Sequence, residues 1–160
     1  SSLKVVIIRS PLVYGKDAPG NFGRLVQWAS AKIMLPLPLG AVNNSRSLIA
    51  IDNLVSFIIL CVLHEKAVNE IFLISDNDTY STTELLNKIA KAFNKQALLF
   101  PVPVNWMIFV AKLLGKEADA VRLFSSLIID SSKARDLLGW HSITTIDKQL
   151  NKIIKNEKTI

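Results

Sequence analysis

The stretch IIRSPLVYG, residues 7–15, decides how the rest of the chain is interpreted. Together with KVV just before it, it gives an apolar run rich in Val and Ile over residues 4–9. Such a continuous run is typical of a strand in a parallel sheet that is covered on both faces. The chain then enters a turn that contains Pro11 before it reaches Tyr14 and Gly15. We therefore expect an interior strand with a proline-containing turn at its carboxyl end.

The composition predicts a globular domain with a substantial core. Half of the 160 residues are hydrophobic, and the mean hydropathy is +0.33. The longest clean apolar run, residues 54–63, is about half the length that a bilayer span requires, so we expect no membrane span. We also expect no signal peptide, because the region after Lys4 lacks the long apolar segment of one. The single cysteine, Cys61, allows no internal disulfide and is typical of a reducing compartment, which indicates a cytoplasmic protein.

The net charge of +6 favours anionic partners, such as nucleic acid, acidic lipid or phosphorylated small molecules. We expect the excess to lie largely in the last thirty residues, where Lys and Arg alternate with apolar residues at helical spacing. That pattern is typical of a solvated helix face, so we expect no nucleic-acid partner.

The pattern along the chain predicts one compact α/β unit over residues 1–160, without linker or repeat. Strands are expected at 4–9, 46–51 and 70–75, extended segments at 35–40 and 97–103, and helices at 21–32, 52–63, 81–93, 105–114, 131–139 and from about 145. The inward face of the first helix is expected to include Ile33. Asp52 and Asp130 are expected to cap helices, and Ser81 with Glu84 has the spacing of a capping box.

The helix at 105–114 is apolar nearly all round, which favours either deep burial or an interface. A membrane-surface helix is an alternative, but the polar face lacks the Lys and Arg residues expected there. Burial in the core is therefore the favoured interpretation.

The order of the segments resembles that of a known enzyme family. A strand ending in R-x-P-x-V-Y-G, a helix opening on Asn-Phe, a Pro-rich arm with Gly, and an Arg before AIDNL follow one another. DSSKARDLLGW at 130–140 is similar to a signature near the C-terminus of the same family. The family is the extended short-chain dehydrogenases/reductases, which includes the NAD-dependent epimerases, dehydratases and reductases of nucleotide sugars. Within it, the motifs over residues 4–150 most resemble bacterial UDP-N-acetylhexosamine 4-epimerases and 4-reductases for surface polysaccharide.

The resemblance implies an α/β fold, the C-terminal part of an extended Rossmann-type fold. It would comprise the last sheet strands and a small helical substrate-binding subdomain. The chain contains no G-x-x-G-x-x-G turn and no Tyr-x-x-x-Lys pair, because Tyr14 is followed four residues on by Ala18 and Tyr80 by Glu84. Hydride transfer needs a bound nicotinamide and an acid–base group. We therefore expect no catalytic residue and no cofactor on this chain alone, although the intact family enzyme uses NAD(P).

The resemblance also implies where cofactor and substrate contact this half. Arg9, Pro11 and Leu12 would lie beside the nicotinamide and the reacting sugar, although the same residues suit a plain strand end and turn. Asn21 and Phe22 open a helix whose N-terminus suits a diphosphate, while Asn21 also suits an ordinary N-cap.

Further along, Leu37 and Pro38 would pack on uracil, or would form a buried extended edge instead. Arg46 would clasp phosphate oxygens bidentately, or would be an exposed structural arginine. Arg122 is the candidate for a second phosphate-binding arginine. No metal ligand is expected.

Two functions of different classes fit these observations. The first is the substrate-binding portion of an NAD-dependent nucleotide-sugar epimerase or reductase, which binds a UDP-sugar and is not competent alone. The second is a non-catalytic binding or interaction module that pairs with a separately encoded N-terminal half. The candidate protein partners are such a Rossmann half or a second copy of the chain.

Overall fold

The computed structural model describes residues 3–16 and 21–157, apart from the side chains of Asn21, Asn156 and Glu157. The contacts divide the chain into two compact units. Unit 1 consists of Ser1–Phe22, Ser47–Thr79 and Ile128–Ile160, and unit 2 consists of Gly23–Arg46 and Tyr80–Leu127.

Strands and helices alternate along the first half of the chain, and helices dominate the second half. The strands are β1 (Ile7–Arg9), β2 (Leu12–Tyr14), β3 (Arg46–Ala50), β4 (Ile71–Leu73) and β5 (Thr79–Tyr80). The helices are α1 (Asn21–Ser30), α2 (Ile51–Leu63), α3 (Thr82–Ala92), α4 (Val104–Leu113), α5 (Glu117–Phe124), α6 (Ser132–Leu138) and α7 (Ile146–Glu157), with a 3-10 turn at Glu65–Ala67. The predicted α/β class is confirmed.

The strands pair in parallel. β1 lies beside β4 with Ile7 opposite Ile71, and β2 lies beside β3 with Leu12 opposite Leu48. The second pair belongs to a three-stranded sheet with the order β2-β3-β5. Parallel partners need long connections, and helix α1 accordingly lies between β2 and β3 in the sequence.

The β1–β4 pair is covered on one face rather than on two. Ile8 packs half-buried against the core of unit 1 and Phe72 is fully buried, whereas Ile7 and Ile71 are 43% and 47% exposed. Successive side chains of a strand point to opposite faces, so the expected cover on both faces is wrong for the described residues. We call the uncovered side the open face, and its exposed apolar side chains are Val5, Ile7, Ile71 and Leu73.

Aromatic rings form the centre of the core of unit 1. The Phe57 ring packs edge-on against Phe72 at 5.3 Å and against Trp140 at 5.2 Å between centroids. Trp140 also donates a hydrogen bond to the Ser56 hydroxyl. Cys61 is buried beside these residues, and burial raises the pKa of its thiol. Trp140 and Cys61 are therefore both core residues.

Helices α1 and α3 supply most of the buried apolar residues of unit 2. The sequence predicts five inward residues for α3, of which Leu85, Leu86, Ile89 and Ala90 are buried, whereas Phe93 is the C-cap and is half-buried. The capping box is also confirmed, because Ser81 accepts from the Glu84 N–H and Glu84 accepts from the Ser81 N–H. The prediction for Ile33 is wrong, because α1 ends at Ser30 and leaves this side chain 79% exposed.

Two cap predictions have different outcomes. Asp52 does not cap α2, because the N-cap is Ala50 and Asp52 lies inside the first turn. Asp130 does accept a hydrogen bond from the Ser132 N–H, at 2.8 Å, where α6 begins. Helix α6 ends at Gly139, whose φ of +68° is the left-handed conformation that favours glycine at this place.

The largest departure from the sequence prediction is helix α4. None of its residues is buried, and Trp106 and Leu113 are 68% and 72% exposed. The expected burial is therefore wrong within unit 2. Helix α5, which follows after Gly115 and packs against α4, was not predicted.

Candidate functional site

Residues 43–46 of unit 2, with the sequence NNSR, run beside the chain that leaves helix α5. The Ser45 N–H donates to the Ser126 hydroxyl at 3.0 Å, and the Leu127 N–H donates to the Ser45 carbonyl at 2.9 Å. Arg46 then forms an isolated parallel bridge with Leu127. These contacts fix the position of Arg46, the candidate phosphate ligand.

Arg46 supports the carboxyl end of α5. Its Nη1 donates to the main-chain carbonyls of Arg122, Leu123 and Ser125 at 2.5, 3.3 and 3.4 Å. The last carbonyls of a helix have no partner inside the helix, and a cation there offsets their partial negative charge. Arg46 therefore has a structural role, while its Nε and Nη2 donate to no other group in the described part of the chain.

Asn44 holds the same segment from the other side, and sequence reasoning missed it. Its buried amide donates to the carbonyls of Leu123 and Ser125 at 3.1 and 3.2 Å. Its oxygen accepts from the N–H and hydroxyl of Thr82, at the start of α3. The available signal was a run of five polar residues, 43–47, between two apolar segments.

The structure brings together the two arginines that were predicted to bind phosphate. Arg122 is exposed, its own carbonyl accepts from Arg46, and its side chain makes no hydrogen bond or ion pair within the described residues. The acidic residues of α5, Glu117 and Asp119, lie in its first turn, at the opposite end. Two guanidinium groups at one helix end, without a carboxylate in that turn, suit an anion such as phosphate.

The proline-rich arm of unit 2 pairs with another extended segment. Leu37 donates to the Leu98 carbonyl at 2.9 Å and accepts from the Phe100 N–H at 3.1 Å. Leu37 and Pro38 are half-buried, which confirms the extended edge. Gly40 passes close to the same segment, because a Cβ there would lie 2.9 Å from the Phe100 carbonyl carbon. Contact of Leu37 and Pro38 with a base stays a prediction.

In unit 1, Arg9 lies at the carboxyl end of β1. Its side chain is exposed and its carbonyl accepts from the Ile74 N–H at 3.1 Å. Pro11 and Leu12 are half-buried, and Leu12 begins β2. Ligands of parallel α/β sheets bind at the carboxyl ends of the strands, so the position of Arg9 fits one side of a dinucleotide site. Contacts of these three residues with a cofactor stay a prediction.

The two residues that begin α1 have different surroundings. Phe22 is fully buried, with its ring 5.7 Å from that of Tyr14, so its side chain is not available to a ligand. Asn21 is the first residue of α1, and its side chain lies outside the described residues. The first turn of α1 has no acidic residue, which is compatible with an anion at this end.

A second polar centre, in unit 1, was not predicted. Asp76 accepts from the Tyr14 hydroxyl at 2.6 Å, the Asn53 amide at 2.6 Å and the Ala50 N–H at 3.1 Å. Burial raises the pKa of the Asp76 carboxyl, while the bonds from Tyr14 and Asn53 act in the opposite direction. The centre joins the carboxyl ends of β2 and β3 to the segment after β4, and its members are too far apart in the sequence to form a motif.

Metal sites and membrane-spanning helices have no counterpart in the described residues. Among residues 3–16 and 21–157, no three metal-ligating side chains gather into a possible ion site. No helix in the described part of the chain combines the length and the apolarity that crossing a membrane requires.

Comparisons with known proteins point to one group of enzymes. UDP-glucose 4-epimerase from Vibrio cholerae is 40% identical over 149 residues, which make up 92% of this chain and 45% of that protein. The fold is similar to that of UDP-N-acetylglucosamine 4-epimerase from Bacillus cereus, with a TM-score of 0.72, 20% identity, and coverage of 96% and 45% of the two chains. It is also similar to UDP-glucuronic acid 4-epimerase from Bacillus cereus in complex with NAD, with a TM-score of 0.67, 19% identity, and coverage of 94% and 44%.

No family model matches the chain, and the chain spans less than half the length of these relatives. The match with the Vibrio protein nevertheless extends over almost all of its residues, and the segments have the order expected for the last part of the epimerase fold. The chain belongs to the NAD-dependent nucleotide-sugar epimerase family and corresponds to the C-terminal part of its fold.

Proposed function

We propose that this chain is the substrate-binding portion of an NAD-dependent nucleotide-sugar epimerase or reductase, and that Arg46 and Arg122 bind the diphosphate of a UDP-sugar. The observation that carries the proposal is the anchoring of Arg46 on the carboxyl end of α5. This anchoring holds the Arg46 guanidinium at the end of the helix that carries Arg122 in its last turn, and Nε and Nη2 of Arg46 donate to no described group. Phosphate is the anion whose geometry fits such a fork.

The charge of unit 2 supports an anionic ligand. Unit 2 holds nine Lys and Arg residues against three Asp and Glu residues, whereas unit 1 holds ten of each. The whole net charge of +6 therefore belongs to the unit that contains Arg46 and Arg122. This corrects the expectation that the excess lies largely in the last thirty residues. A surface of one charge sign raises the local concentration of an oppositely charged substrate.

In this proposal the chemistry depends on groups that these 160 residues do not contain. Bound NAD supplies the hydride acceptor, and a Tyr-x-x-x-Lys pair from the other half of the enzyme handles the proton. In unit 2, Arg46 and Arg122 hold the diphosphate, and in unit 1 Arg9, at the carboxyl end of β1, is the proposed contact of the nicotinamide. We propose a cytoplasmic enzyme of surface-polysaccharide synthesis.

The second candidate is an interaction module that pairs with a separately encoded N-terminal half. The open face favours it, because four apolar side chains of the β1–β4 pair are exposed and β1 has β4 as its one strand partner among the described residues. Such an edge readily accepts a further strand. Co-expression with a polypeptide that contains the Gly-rich turn distinguishes the candidates, since an active complex supports the first and an inactive one the second.

Calorimetric titration with UDP tests the diphosphate site. Arg46→Ala should weaken binding by about 2–5 kcal/mol, and Arg46→Lys should restore part of it, because an ammonium cannot bind bidentately. Arg122→Ala should also weaken binding. Lys91→Ala is the matched control, because it removes an exposed cation of the same unit in the last turn of α3, and it should bind UDP like the wild type.

Because Arg46 also supports α5, thermal unfolding must accompany the titration. We expect Arg46→Ala to lower stability by about 1–3 kcal/mol by leaving the α5 carbonyls without a donor, and Arg122→Ala to leave stability unchanged. Binding of UDP by folded Arg46→Ala and Arg122→Ala proteins as tightly as by wild type would refute the site.

A further inference from the structure

Asn44 joins two helix ends of unit 2 through its side-chain amide. Its Nδ2 donates to the carbonyls of Leu123 and Ser125 at 3.1 and 3.2 Å, at the carboxyl end of α5. Its Oδ1 accepts from the N–H and the hydroxyl of Thr82 at 2.8 and 3.1 Å, at the amino end of α3. A side-chain amide has two donor hydrogens and an oxygen that accepts two bonds. All four hydrogen-bonding positions of Asn44 are therefore occupied.

These bonds satisfy groups that the two helices leave without a partner. Thr82 is the first residue of α3, and the N–H groups of a first helical turn have no acceptor inside the helix. The carbonyls at the end of α5 likewise have no donor inside theirs. Asn44 is only 8% exposed. A buried and fully bonded amide is held in one orientation, so it makes the connection between the segments rigid.

Helix α5 depends on such a connection more than α3 does. Helix α3 has five buried residues, so apolar packing fixes its position in unit 2. Helix α5 has no buried residue, and it packs against α4, which has none either. The position of the end of α5 therefore depends on polar contacts, and Asn44 links that end to the well-packed helix α3.

Arg46 shares its acceptors with Asn44. The carbonyls of Leu123 and Ser125 also accept from Nη1 of Arg46, at 3.3 and 3.4 Å. The carbonyl of Arg122 accepts from the same nitrogen at 2.5 Å. A shift of these carbonyls would therefore move the Arg46 guanidinium together with the main chain of Arg122. Two guanidinium groups bind one phosphate group well only when their donors point to a common position.

We propose that Asn44 is a positioning residue for anion binding, which touches no ligand but holds the end of α5 where Arg46 and Arg122 act on one diphosphate. This role rests on the proposed function of the two arginines. Asn44 performs it without a charge, so the positive charge of both arginines is left to the ligand. An aspartate at this position would still accept from Thr82, but it would set a carboxylate against two carbonyl oxygens and beside Arg46.

Calorimetric titration of the 160-residue chain with UDP tests this role, together with thermal unfolding of each protein. Asn44→Ala should weaken UDP binding at least about tenfold under conditions where the protein is folded, and Asn44→Asp should weaken it further. Thr82→Val is the milder variant, because it removes one of the four bonds of Asn44 and keeps the shape of residue 82. It should weaken binding about threefold.

Ser81→Ala is the matched control, because it also removes a neutral side-chain bond at the start of α3, to the Glu84 N–H, without touching Asn44. It should lower the unfolding temperature and bind UDP like the wild type. A double-mutant cycle separates positioning from a general loss of structure. In an Arg46→Ala background, Asn44→Ala should cost at most about threefold in affinity, because the arginine through which it acts is gone.

Three results would overturn the proposal. The first is the same UDP affinity in folded Asn44→Ala or Thr82→Val protein as in the wild type. The second is an equal loss of affinity in Ser81→Ala and Thr82→Val. The third is the same loss from Asn44→Ala with and without Arg46. A wild-type chain that does not bind UDP would instead refute the diphosphate site itself, and the role of Asn44 with it.

Discussion

At the scale of single residues, the Asp76 centre shows how one carboxylate can join three distant segments. Its oxygens accept from Tyr14, Ala50 and Asn53, and Asn53 in turn holds the main chain of Ile143 and Thr144. Hydrogen bonds to an ionised acceptor are stronger than neutral ones. The centre therefore holds the carboxyl ends of β2 and β3 to the segment after β4.

The first prediction concerns Tyr14 and Asp76. Tyr14→Phe removes a donor to a partly buried carboxylate and should lower the free energy of unfolding by about 1.5–3 kcal/mol at pH 7. In an Asp76→Asn background the same change should cost less, because the charged acceptor is gone. Urea unfolding of the four proteins measures the coupling. An equal cost of Tyr14→Phe in both backgrounds would contradict it.

The second prediction concerns pH. Burial raises the pKa of Asp76 above its ordinary value of 3.8, so folding favours the protonated form. The resulting stabilisation is fully present below pH 3.8 and is lost as the pH rises through the raised pKa. The difference in unfolding free energy between wild type and Asp76→Asn should therefore move in favour of wild type as the pH falls. A difference that moves the other way would be inconsistent with the raised pKa.

At the scale of elements, the sequence predicted those features that depend on interactions between residues close together in the chain. The capping box at Ser81 and Glu84, the glycine after α6 and the apolar periodicity of α3 act over a few residues, and each is confirmed. Helix α4 was expected to be buried because its composition is apolar. Whether its side chains are exposed depends on which other segments pack against the helix. Helix α5 is only eight residues long and has no side-chain cap bond, so no strong signal marked its start.

The third prediction tests the cap of α3. Ser81→Ala should lower the free energy of unfolding by about 1 kcal/mol, because the Glu84 N–H loses its acceptor. Ser131→Ala is the matched control, since Ser131 is the N-cap of α6 but makes no side-chain cap bond. Denaturant midpoints of the two variants measure the contrast. Similar losses in both would mean that the cap bond of Ser81 contributes little.

At the scale of the whole molecule, the resemblance in motif order predicted the fold better than any pattern of hydrophobicity. The order from the strand at 4–9 to the signature at 130–140 is a global property, and the comparison with the Vibrio cholerae protein confirms the family. The site was predictable only in part. Arg46 and Arg122 were named separately, but their contact depends on Asn44 and the end of α5, which no spacing in the sequence specifies.

The fourth prediction concerns the open face. We expect the chain to self-associate through it at high concentration, since exposed apolar strands with a free edge recruit other chains. Ile7→Lys should reduce this association, whereas Ile8→Lys should destabilise the fold because Ile8 packs against the core. Ile143→Lys is the control, with an apolar side chain 66% exposed elsewhere in unit 1. Light scattering over a dilution series decides, and a dilution-insensitive monomer would contradict self-association through the open face.

The most direct test of the account is a chimera. The segment of Vibrio cholerae UDP-glucose 4-epimerase that matches this chain is replaced by residues 4–150 of this chain, and conversion of UDP-sugars at C4 is measured with NAD bound. We predict a chimera that converts a UDP-hexose, with kcat/KM reduced at least about tenfold by Arg46→Ala and unaffected by Lys91→Ala. A folded, NAD-loaded chimera that neither binds UDP nor converts any UDP-hexose would contradict it.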